Sequence, residues 1–256
     1  MNSAVELPAS LIQDDDHAEP IALPAGMESL PRSSAPQYTL YRLIRHLKPE
    51  VVLEIGSQFG ASAVAMALAQ RDAGITGQIV AIDPFFPTGD NSGWGTMKIW
   101  YENVYNAGLK TSIQLLVTTS SAILPAMTRT YDFAFVDGSH QYEDVKEDLR
   151  LALHCLKPGG YVMVHDYAIY ESVRNAAKET FQEFGIPYAE NLIQTNQRGD
   201  VCGWAIARKP ADAVIPAQPL RREVASPPPQ PRRFRLFNLI PQPVKRGIRA
   251  LLGRGK

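Results

Sequence analysis

The sequence predicts an α/β fold with a largely parallel sheet, on three observations. Hydrophobic residues make up 45% and charged residues 20% of the 256 residues, as is typical of a globular protein. Short apolar runs alternate with segments of helical length in the middle of the chain. Fourteen of the 20 prolines lie in residues 1–36 or 210–256, so residues 37–209 are interpreted as one folded domain. Strands that alternate with helices form parallel sheets with helices on both faces.

The first half of the domain contains three predicted strands and two predicted helices. Val51–Ile55 and Gln78–Ile82 are short apolar runs of strand length, and Ile113–Val117 follows the same pattern. Small and apolar residues in Ala61–Ala69 predict the first helix. Thr96–Ala107 has the length of a second helix, which completes two strand–helix–strand units.

The second half continues the alternation. Apolar runs predict strands at Tyr131–Val136 and Tyr161–Val164, and an amphipathic period predicts a helix between them at Glu143–Cys155. The Lys-Pro-Gly-Gly segment at residues 157–160 predicts a stop and a turn. One more helix and two closing strands complete a sheet of seven strands: Tyr170–Phe184, Asn191–Gln194 and Val201–Ala207.

The terminal segments differ from the domain in composition and charge. Residues 1–36 are acidic and spotted with proline, and they predict a loosely held leader. Residues 210–231 predict an extended, proline-rich linker. Residues 232–256 form a tail with eight basic residues, no acid and interleaved apolar side chains. The net charge of zero is therefore a cancellation between an acidic body and a basic end.

Several classes of protein are excluded by the sequence. It has no run of 18 apolar residues, so no membrane span is expected. The first residues lack the basic start and apolar core of a secretory signal. Cys155 and Cys202 are the two cysteines, and they give neither a disulfide framework nor zinc-ligand spacing. A reducing cytoplasm is the expected location.

Polar residues follow the predicted strands at the edge where parallel α/β sheets bind ligands. Gly56 and Gly60 come after the first strand, with Glu54 before them and Ser62 in the following helical turn. Glycines let a backbone approach a ligand closely, and a helix N-terminus favours a negative group. The spacing differs from that of dinucleotide and phosphate loops. A ligand loop and a tight packing turn both fit this segment.

Two further strand ends fit a nucleoside. Asp83 follows the second strand, where a carboxylate can accept both hydroxyls of a ribose or cap a turn. Ser120 and Ser121 belong to a hydroxyl cluster after the third strand. These serines could meet an adenine edge, and they fit equally well as an N-cap cluster.

The fourth and fifth strand ends carry titratable groups. Asp137 and His140 follow the fourth strand, whereas His165 and Asp166 follow the fifth. Two carboxylates at neighbouring strand ends can converge on Mg²⁺ or another divalent metal. A histidine near them suits general-base chemistry, although a lone histidine is more often packed or on the surface.

Residues 84–101 predict a substrate lid after the second strand. They hold five aromatic residues, three glycines and two prolines. Trp94 or Trp100 could stack on a sugar ring or an aromatic acceptor. For Trp100, the buried face of the next helix is the alternative.

Three segments together resemble class I S-adenosylmethionine-dependent methyltransferases. They are V-L-E-I-G-S-Q-F-G-A-S-A at residues 52–63, the segment 132–149 that begins D-F-A-F-V-D-G-S-H, and L-K-P-G-G-Y-V-M-V-H-D-Y at residues 156–167. They are similar to the branch that contains catechol O-methyltransferases, cephalosporin hydroxylase-like proteins and macrolide-sugar O-methyltransferases. The resemblance covers residues 40–207 and implies a doubly wound, mostly parallel seven-stranded sheet of the Rossmann-like methyltransferase fold.

The resemblance implies a binding site for S-adenosylmethionine. Asp83 would bind the ribose hydroxyls, and Ser120 and Ser121 would lie near the adenine. The other implied cofactor-binding residues surround the methionine part or shape the turn that holds it: Glu54, Gly56, Ser57, Gly60, Ser62 and Asp137.

The resemblance also implies O-methyl transfer with His140 as the general base. Asp137 and Asp166 would hold a divalent metal. Tyr167 stands where the catechol enzymes have an asparagine ligand, and His165 stands where metal-binding relatives can have an acid. His165 is therefore a third candidate ligand, which suits Mn²⁺ or Fe²⁺ better than Mg²⁺.

The expected acceptor is a hydroxyl of a sugar, another glycan unit or a small molecule. Two other functions fit the same segments: an iron-dependent hydroxylase-like enzyme, and a non-catalytic cofactor-binding subunit of a glycan-synthesis complex. Residues 232–256 predict peripheral contact with the anionic inner face of a membrane, with docking on an acidic partner or a solvated tail as alternatives. No specific nucleic acid is expected, and a homo-oligomer is compatible with the sequence.

Overall fold

The computed structural model describes residues 36–86, 96–128, 130–192 and 203–217. Its strands are β1 (Val51–Ile55), β2 (Gln78–Ile82), β3 (Ile113–Leu116), β4 (Tyr131–Val136), β5 (Leu156–His165), β6 (Tyr188–Asn191) and β7 (Trp204–Arg208). Its helices are α1 (Pro36–Leu47), α2 (Ala61–Asp72), α3 (Thr96–Asn106), α4 (Ser120–Ile123), α5 (Tyr142–Cys155) and α6 (Glu171–Glu183), with a 3₁₀ turn at Leu124–Ala126. Within these residues no helix is long and apolar enough to cross a bilayer.

The strands form one sheet in the order β3-β2-β1-β4-β5-β7-β6. The first five strands of this order are parallel to one another, and β7 is antiparallel to both of its neighbours. From β1 the chain adds β2 and β3 toward one edge of the sheet, and from β4 it adds β5 toward the other edge. The topological switch point therefore lies between β1 and β4. The predicted doubly wound, mostly parallel sheet of seven strands is confirmed.

Helices cover both faces of the sheet because successive strand residues point to opposite sides. Leu53 and Ile55 of β1 belong to the core formed with α5 and α6, whereas Val52 belongs to the core formed with α1, α2 and α3. Helix α2 is buried from Ser62 to Gln70. It is therefore an internal helix between the sheet and α1, which explains why apolar and small residues occupy nearly all of its positions.

The ends of four predicted strands match the structure closely, but the Lys-Pro-Gly-Gly turn was predicted wrongly. Leu156 lies opposite Tyr131 and Tyr161 lies opposite Phe133, so β4 advances by two residues while β5 advances by five. Residues 157–160 are thus an irregular part of β5. Hydrogen bonds between Lys209 and this segment keep it in the sheet, which overrides the local turn preference.

Two other elements differ from their predictions. Helix α1 was not predicted, although Leu40, Leu43 and Ile44 form a buried stripe at helical spacing. The closing strand predicted at Asn191–Gln194 lies earlier, at β6, because Tyr188 pairs with Ala207 and so starts the ladder with β7. Residues 193 and 194 lie outside the described residues.

The beginning of the predicted linker packs on the domain. Ile215 is buried, and its carbonyl oxygen lies 2.7 Å from Nδ1 of His154. The Arg150 guanidinium donates to the Pro216 carbonyl at 2.6 Å. Residues 210–217 therefore continue the contacts of the domain beyond the boundary predicted at 209. The predicted leader up to residue 35, the rest of the linker and the basic tail lie outside the described residues.

Candidate functional site

The carboxyl ends of β2, β1, β4 and β5 lie side by side and form one edge of the sheet. The backbone amide of Gly56 donates to Ile82 at 2.9 Å, and that of Asp137 donates to Ile55 at 2.8 Å, so the ladder continues to the last residues. In the described part of the chain, three of the four non-glycine residues with positive φ lie just beyond these ends: Gln58 at 44°, Phe85 at 50° and Asp166 at 56°. Backbone strain of this kind concentrates at functional sites.

The β1 loop, residues 56–60, is closed by two glycines with positive φ. A Cβ on Gly56 would stand 2.1 Å from the carbonyl oxygen of Asp137, so this glycine allows β1 and β4 to approach at the switch point. A Cβ on Gly60 would stand 2.9 Å from the indole of Trp100. Both glycines are required by contacts within the protein, whatever ligand the loop holds.

Asp83 anchors the β1 loop from the end of β2. Its Oδ2 accepts the backbone amides of Ser57 at 2.9 Å and Gln58 at 2.8 Å, and its Oδ1 accepts that of Phe85 at 2.6 Å. The bond from Phe85 confirms the alternative in which Asp83 caps a turn, whereas its anchoring of the β1 loop was not predicted. Binding of ribose hydroxyls by the same carboxylate stays a prediction.

Glu54 is completely buried beside the β1 loop. Its Oε1 accepts the hydroxyl of Ser62, and its Oε2 has no hydrogen-bond partner within the described residues. Burial disfavours the charged form and raises the pKa of Glu54 to about 8, against the lowering effect of the Ser57 and Ser62 hydroxyls. A buried carboxyl oxygen without a partner costs free energy, and a donor supplied by a ligand would relieve that cost.

The two serines after β3 have different surroundings. Ser120 is buried and donates its hydroxyl to Asp148 of α5. Ser121 is exposed, and its hydroxyl lies 3.3 Å from that of Thr119. The structure thus separates the predicted pair into a packing residue and a surface residue. Contact of either serine with an adenine stays a prediction.

The ends of β4 and β5 bring together the histidine–aspartate cluster, which consists of Asp137, His140, His165 and Asp166. Nε2 of His140 lies 3.0 Å from Oδ2 of Asp166. Nδ1 of His165 lies 3.1 Å from Oδ1 of Asp137 and 3.2 Å from Oδ1 of Asp166. The four residues that the sequence placed at these strand ends therefore form one contiguous group.

The protonation of the cluster follows from burial and pairing. Partial burial favours the neutral imidazole of His140, but its hydrogen bond to Asp166 and the charge of that carboxylate outweigh burial and raise the pKa of His140. Burial acts against ionisation of Asp166, yet His140 and His165 together lower its pKa. Burial raises the pKa of Asp137, partly offset by His165. The pKa values of the two aspartates are therefore shifted in opposite directions, down for Asp166 and up for Asp137.

His140 is held by two further contacts that the sequence did not reveal. The ring of Tyr170 stacks on the imidazole with a centroid separation of 4.0 Å and an angle of 16°. The hydroxyl of Ser172 donates to the His140 carbonyl at 2.6 Å. These residues open α6, one connection away from β5, and no spacing in the sequence marks them as partners of His140.

Part of the cluster has the composition of a metal site. Asp137, His140 and Asp166 each offer one ligand atom, and these atoms lie within 4.8 Å of one another. His165, the third ligand expected from the sequence, instead contacts both carboxylates through Nδ1. Tyr167 is fully buried, and its hydroxyl donates to Glu190 at 2.7 Å, so it does not replace the asparagine ligand of the catechol enzymes.

Trp100 is part of the buried face of α3. The side chain is 2% exposed, and its indole nitrogen donates to the hydroxyl of Ser57 at 2.8 Å. The interpretation of Trp100 as a stacking residue for the acceptor is therefore wrong, and the alternative of a buried helix face is confirmed. Trp94 lies outside the described residues.

Comparisons with known proteins show what this part of the chain is similar to. Residues 53–167 match the family model described as a methyltransferase domain. This segment runs from β1 to Tyr167 and so includes the β1 loop, Asp83 and the histidine–aspartate cluster. A search of curated proteins gives no match.

Solved structures with the same fold include three methyltransferases. The O-methyltransferase TomG of Streptomyces achromogenes, which acts in tomaymycin synthesis and was solved with S-adenosylmethionine, is 18% identical, with a TM-score of 0.54 over 68% of this chain and 79% of its own. The O-methyltransferase of Bacillus cereus with S-adenosylhomocysteine is 15% identical, with a TM-score of 0.51 over 72% and 86%. The Podospora anserina methyltransferase PaMTH1 with S-adenosylhomocysteine is 16% identical, with a TM-score of 0.54 over 68% and 77%. These structures share the fold of this chain, and the family model bears out the predicted resemblance to methyltransferases.

Proposed function

We propose, because residues 53–167 match the model of a methyltransferase domain, that the protein transfers the methyl group of S-adenosylmethionine to a hydroxyl oxygen. The acceptor is a sugar, another glycan unit or a small molecule. A single observation carries this proposal. Strand ends that suit a nucleoside lie at the same edge of the sheet as a histidine that is paired with a carboxylate. Both parts lie at the switch point where doubly wound sheets bind their ligands.

The residues of the β1 and β2 ends fit a sulfonium nucleoside with an amino-acid arm. Glu54 offers a buried carboxyl oxygen without a partner in the described part of the chain, which suits an ammonium donor. Asp83 is half-buried at the end of β2 and keeps acceptor capacity for ribose hydroxyls. Ser57, Gly60 and Ser62 surround the methionine arm in this assignment, while Ser120 and Ser121 lie toward the adenine.

His140 acts as the general base in this proposal. Its Nε2 is held by Asp166, so Nδ1 is the nitrogen assigned to take the proton of the acceptor hydroxyl. The Tyr170 ring fixes the plane of the imidazole, which limits the directions from which a hydroxyl can approach. When bound, S-adenosylmethionine supplies an electrophilic methyl group on a sulfonium. The chain supplies the base and the alignment of the acceptor oxygen.

A divalent metal is a separate part of the proposal. Asp137 and Asp166 would hold it, and the 4.8 Å spread of ligand atoms that includes His140 fits such an ion. The ion would supply Lewis-acid activation of the hydroxyl. His140 cannot give Nε2 to a metal and to Asp166 at once, so metal ligation by His140 and the present pairing exclude each other. Hard oxygen ligands favour Mg²⁺, and an imidazole ligand favours Mn²⁺ or Fe²⁺.

The test is calorimetric titration of the protein with S-adenosylhomocysteine, with and without Mg²⁺ or Mn²⁺. We expect micromolar binding that Asp83→Ala weakens and that Asp72→Ala, a substitution in a surface pair with Arg71 and Tyr41, leaves unchanged. Tighter binding with metal, lost in Asp137→Asn, would support the metal. No binding under any condition would refute methyl transfer, and iron bound in its place would favour the hydroxylase-like alternative.

The basic tail carries a second, independent proposal. Residues 232–256 hold eight basic residues and no acid, and we propose that they hold the protein at the anionic inner face of a membrane. Each basic residue near such a surface contributes about 1 kcal/mol. The full chain should co-sediment with vesicles that contain phosphatidylserine, and it should stay in the supernatant at high salt. A chain ended at residue 231 that sediments equally well would contradict the proposal.

A further inference from the structure

Helix α3 is tied to the β1 loop by two side chains one helical turn apart. The indole nitrogen of Trp100 donates to the Ser57 hydroxyl at 2.8 Å, and the amide nitrogen of Asn103 donates to the Phe59 carbonyl at 2.8 Å. The two bonds reach the loop at Ser57 and at Phe59, two residues apart. Trp100 and Asn103 are both buried, and the bond from Trp100 to Ser57 is shielded from water.

Packing reinforces the two hydrogen bonds. The indole fills the space that a Cβ on Gly60 would need, with ring atoms 2.9 Å and 3.0 Å from that position. Gly60 therefore lies directly against the ring, at the point where the loop enters α2. The loop cannot move toward α3 without displacing a buried tryptophan.

The conformation of the loop explains why such support is needed. Gln58 has a φ of 44° and Gly60 a φ of 78°, so both occupy the left-handed region. A non-glycine residue there persists only when its surroundings hold it. Asp83 holds the loop on the β2 side, and Trp100 and Asn103 hold it on the α3 side.

We propose that Trp100 and Asn103 are positioning residues, which hold the β1 loop in the shape that receives the amino-acid arm of S-adenosylmethionine. The inference rests on the proposed function. It predicts a selective effect: ligands with the amino-acid arm should depend on the two side chains, whereas ligands that contact only the nucleoside end should not. A side chain that merely stabilised the fold would affect both kinds of ligand alike.

The chain offers a matched control for the indole. Trp204 is also 2% exposed, and its indole nitrogen has no hydrogen-bond partner within the described residues. Replacing either tryptophan by phenylalanine removes the N–H and part of the ring from a buried position. A loss that is common to both variants measures packing alone. A loss confined to Trp100→Phe measures the contact with the loop.

The experiment is calorimetric titration of wild type, Trp100→Phe and Trp204→Phe with two probes. S-adenosylhomocysteine carries the amino-acid arm, and 5′-methylthioadenosine lacks it. We expect Trp100→Phe to weaken S-adenosylhomocysteine by about three- to tenfold, the size of one hydrogen bond, and to change 5′-methylthioadenosine by less than about twofold. Trp204→Phe should leave the affinities for both probes unchanged.

A double-mutant cycle with Ser57→Ala locates the effect in the hydrogen bond. If Trp100 acts through Ser57, the double variant binds S-adenosylhomocysteine no worse than the weaker single variant. Fully additive losses, or an equal loss for both probes, would overturn the inference. If Trp100→Phe unfolds the protein, Asn103→Asp removes the second donor and must show the same selectivity.

Failure of the proposed function has a different signature. If wild type binds neither probe, the cofactor assignment fails and the inference fails with it. If wild type binds S-adenosylhomocysteine and both Trp100→Phe and Asn103→Asp bind it as tightly, only the inference fails.

Discussion

The β1 loop and the histidine–aspartate cluster lie on neighbouring strand ends but are built in opposite ways. The loop is shaped by hydrogen bonds to its backbone and by close packing, and the acid beneath it, Glu54, favours its neutral form. The cluster is held by contacts between ionisable side chains, with Asp166 between two histidines. One half of the site is therefore determined by shape and the other by charge.

The difference separates two tasks. A preformed loop can bind a ligand without rearranging its backbone, whereas a histidine paired with a carboxylate can accept a proton. Substitutions in the loop should change binding or stability, and substitutions in the cluster should change turnover. Four predictions test this division, from the largest expected effect to the smallest.

Glu54 should make the free energy of unfolding fall as the pH rises. Its pKa is about 8 in the folded protein, against an ordinary value of 4.5 for a glutamate in water. Between these values the folded state binds the extra proton, so stability falls as pH rises from 4.5 to 8 and is constant again above. The full effect is up to about 5 kcal/mol. Urea unfolding at about pH 5.5 and about pH 8.5 measures most of this loss of stability. Glu54→Gln should remove most of this pH dependence, while the exposed control Glu50→Gln should keep it.

Within the histidine–aspartate cluster, His140 should have the largest effect on turnover. His140→Ala removes the proposed base, and turnover on any acceptor that wild type methylates should fall about 10²–10⁴-fold. S-adenosylhomocysteine binding, measured by calorimetry, should stay within a few-fold of wild type. His46→Ala, on the exposed surface of α1, is the matched control. Unchanged turnover in His140→Ala would remove this residue from the mechanism.

An alanine in place of Gly56 should disturb the close contact between the β1 loop and the end of β4. An alanine there combines a φ of 86° with a Cβ placed 2.1 Å from the carbonyl oxygen of Asp137. We expect the free energy of unfolding to fall by about 3 kcal/mol. Gly74→Ala is the control, since its φ is also positive and nothing lies within 4 Å of the new Cβ. Equal losses in the two variants would mean that the contact with Asp137 carries no strain.

The serines after β3 should give the smallest effect and show which of them is structural. Ser120→Ala leaves Asp148 without its hydroxyl donor and should lower the free energy of unfolding by about 1 kcal/mol. Ser121→Ala should change it by less than about 0.5 kcal/mol, because Ser121 is exposed. Weaker S-adenosylhomocysteine binding in Ser121→Ala alone would assign the adenine contact to that residue.

Much of the fold could be predicted because strong local patterns agree with the tertiary structure. The strands β1, β2 and β4 were predicted to the residue, since each is a short apolar run buried on both faces. The Lys-Pro-Gly-Gly segment was predicted wrongly because its place is decided by Lys209, which is remote in sequence. Helix α1 was missed because its buried stripe is short and follows a proline-rich leader.

The candidate site could be predicted at the level of strand ends and no further. Parallel strands place Asp137 and Asp166 side by side, and this neighbourhood follows from order alone. The stack of Tyr170 on His140 and the bond from Trp100 to Ser57 depend on the paths of the connecting segments and on side-chain rotamers. Neither contact leaves a pattern in a single sequence.

The antiparallel strand β7 has a consequence for biosynthesis. It lies between β5 and β6 in the sheet, although it is the last of the seven strands to leave the ribosome. Strand β6 is made earlier but finds its partner only when Trp204 pairs with Asn191. The same residue pairs with His165, whose imidazole joins the two aspartates. The second neighbour of β5 in the sheet is therefore made near the end of synthesis, and a nascent chain that stops short of it lacks the backbone pairing beside His165.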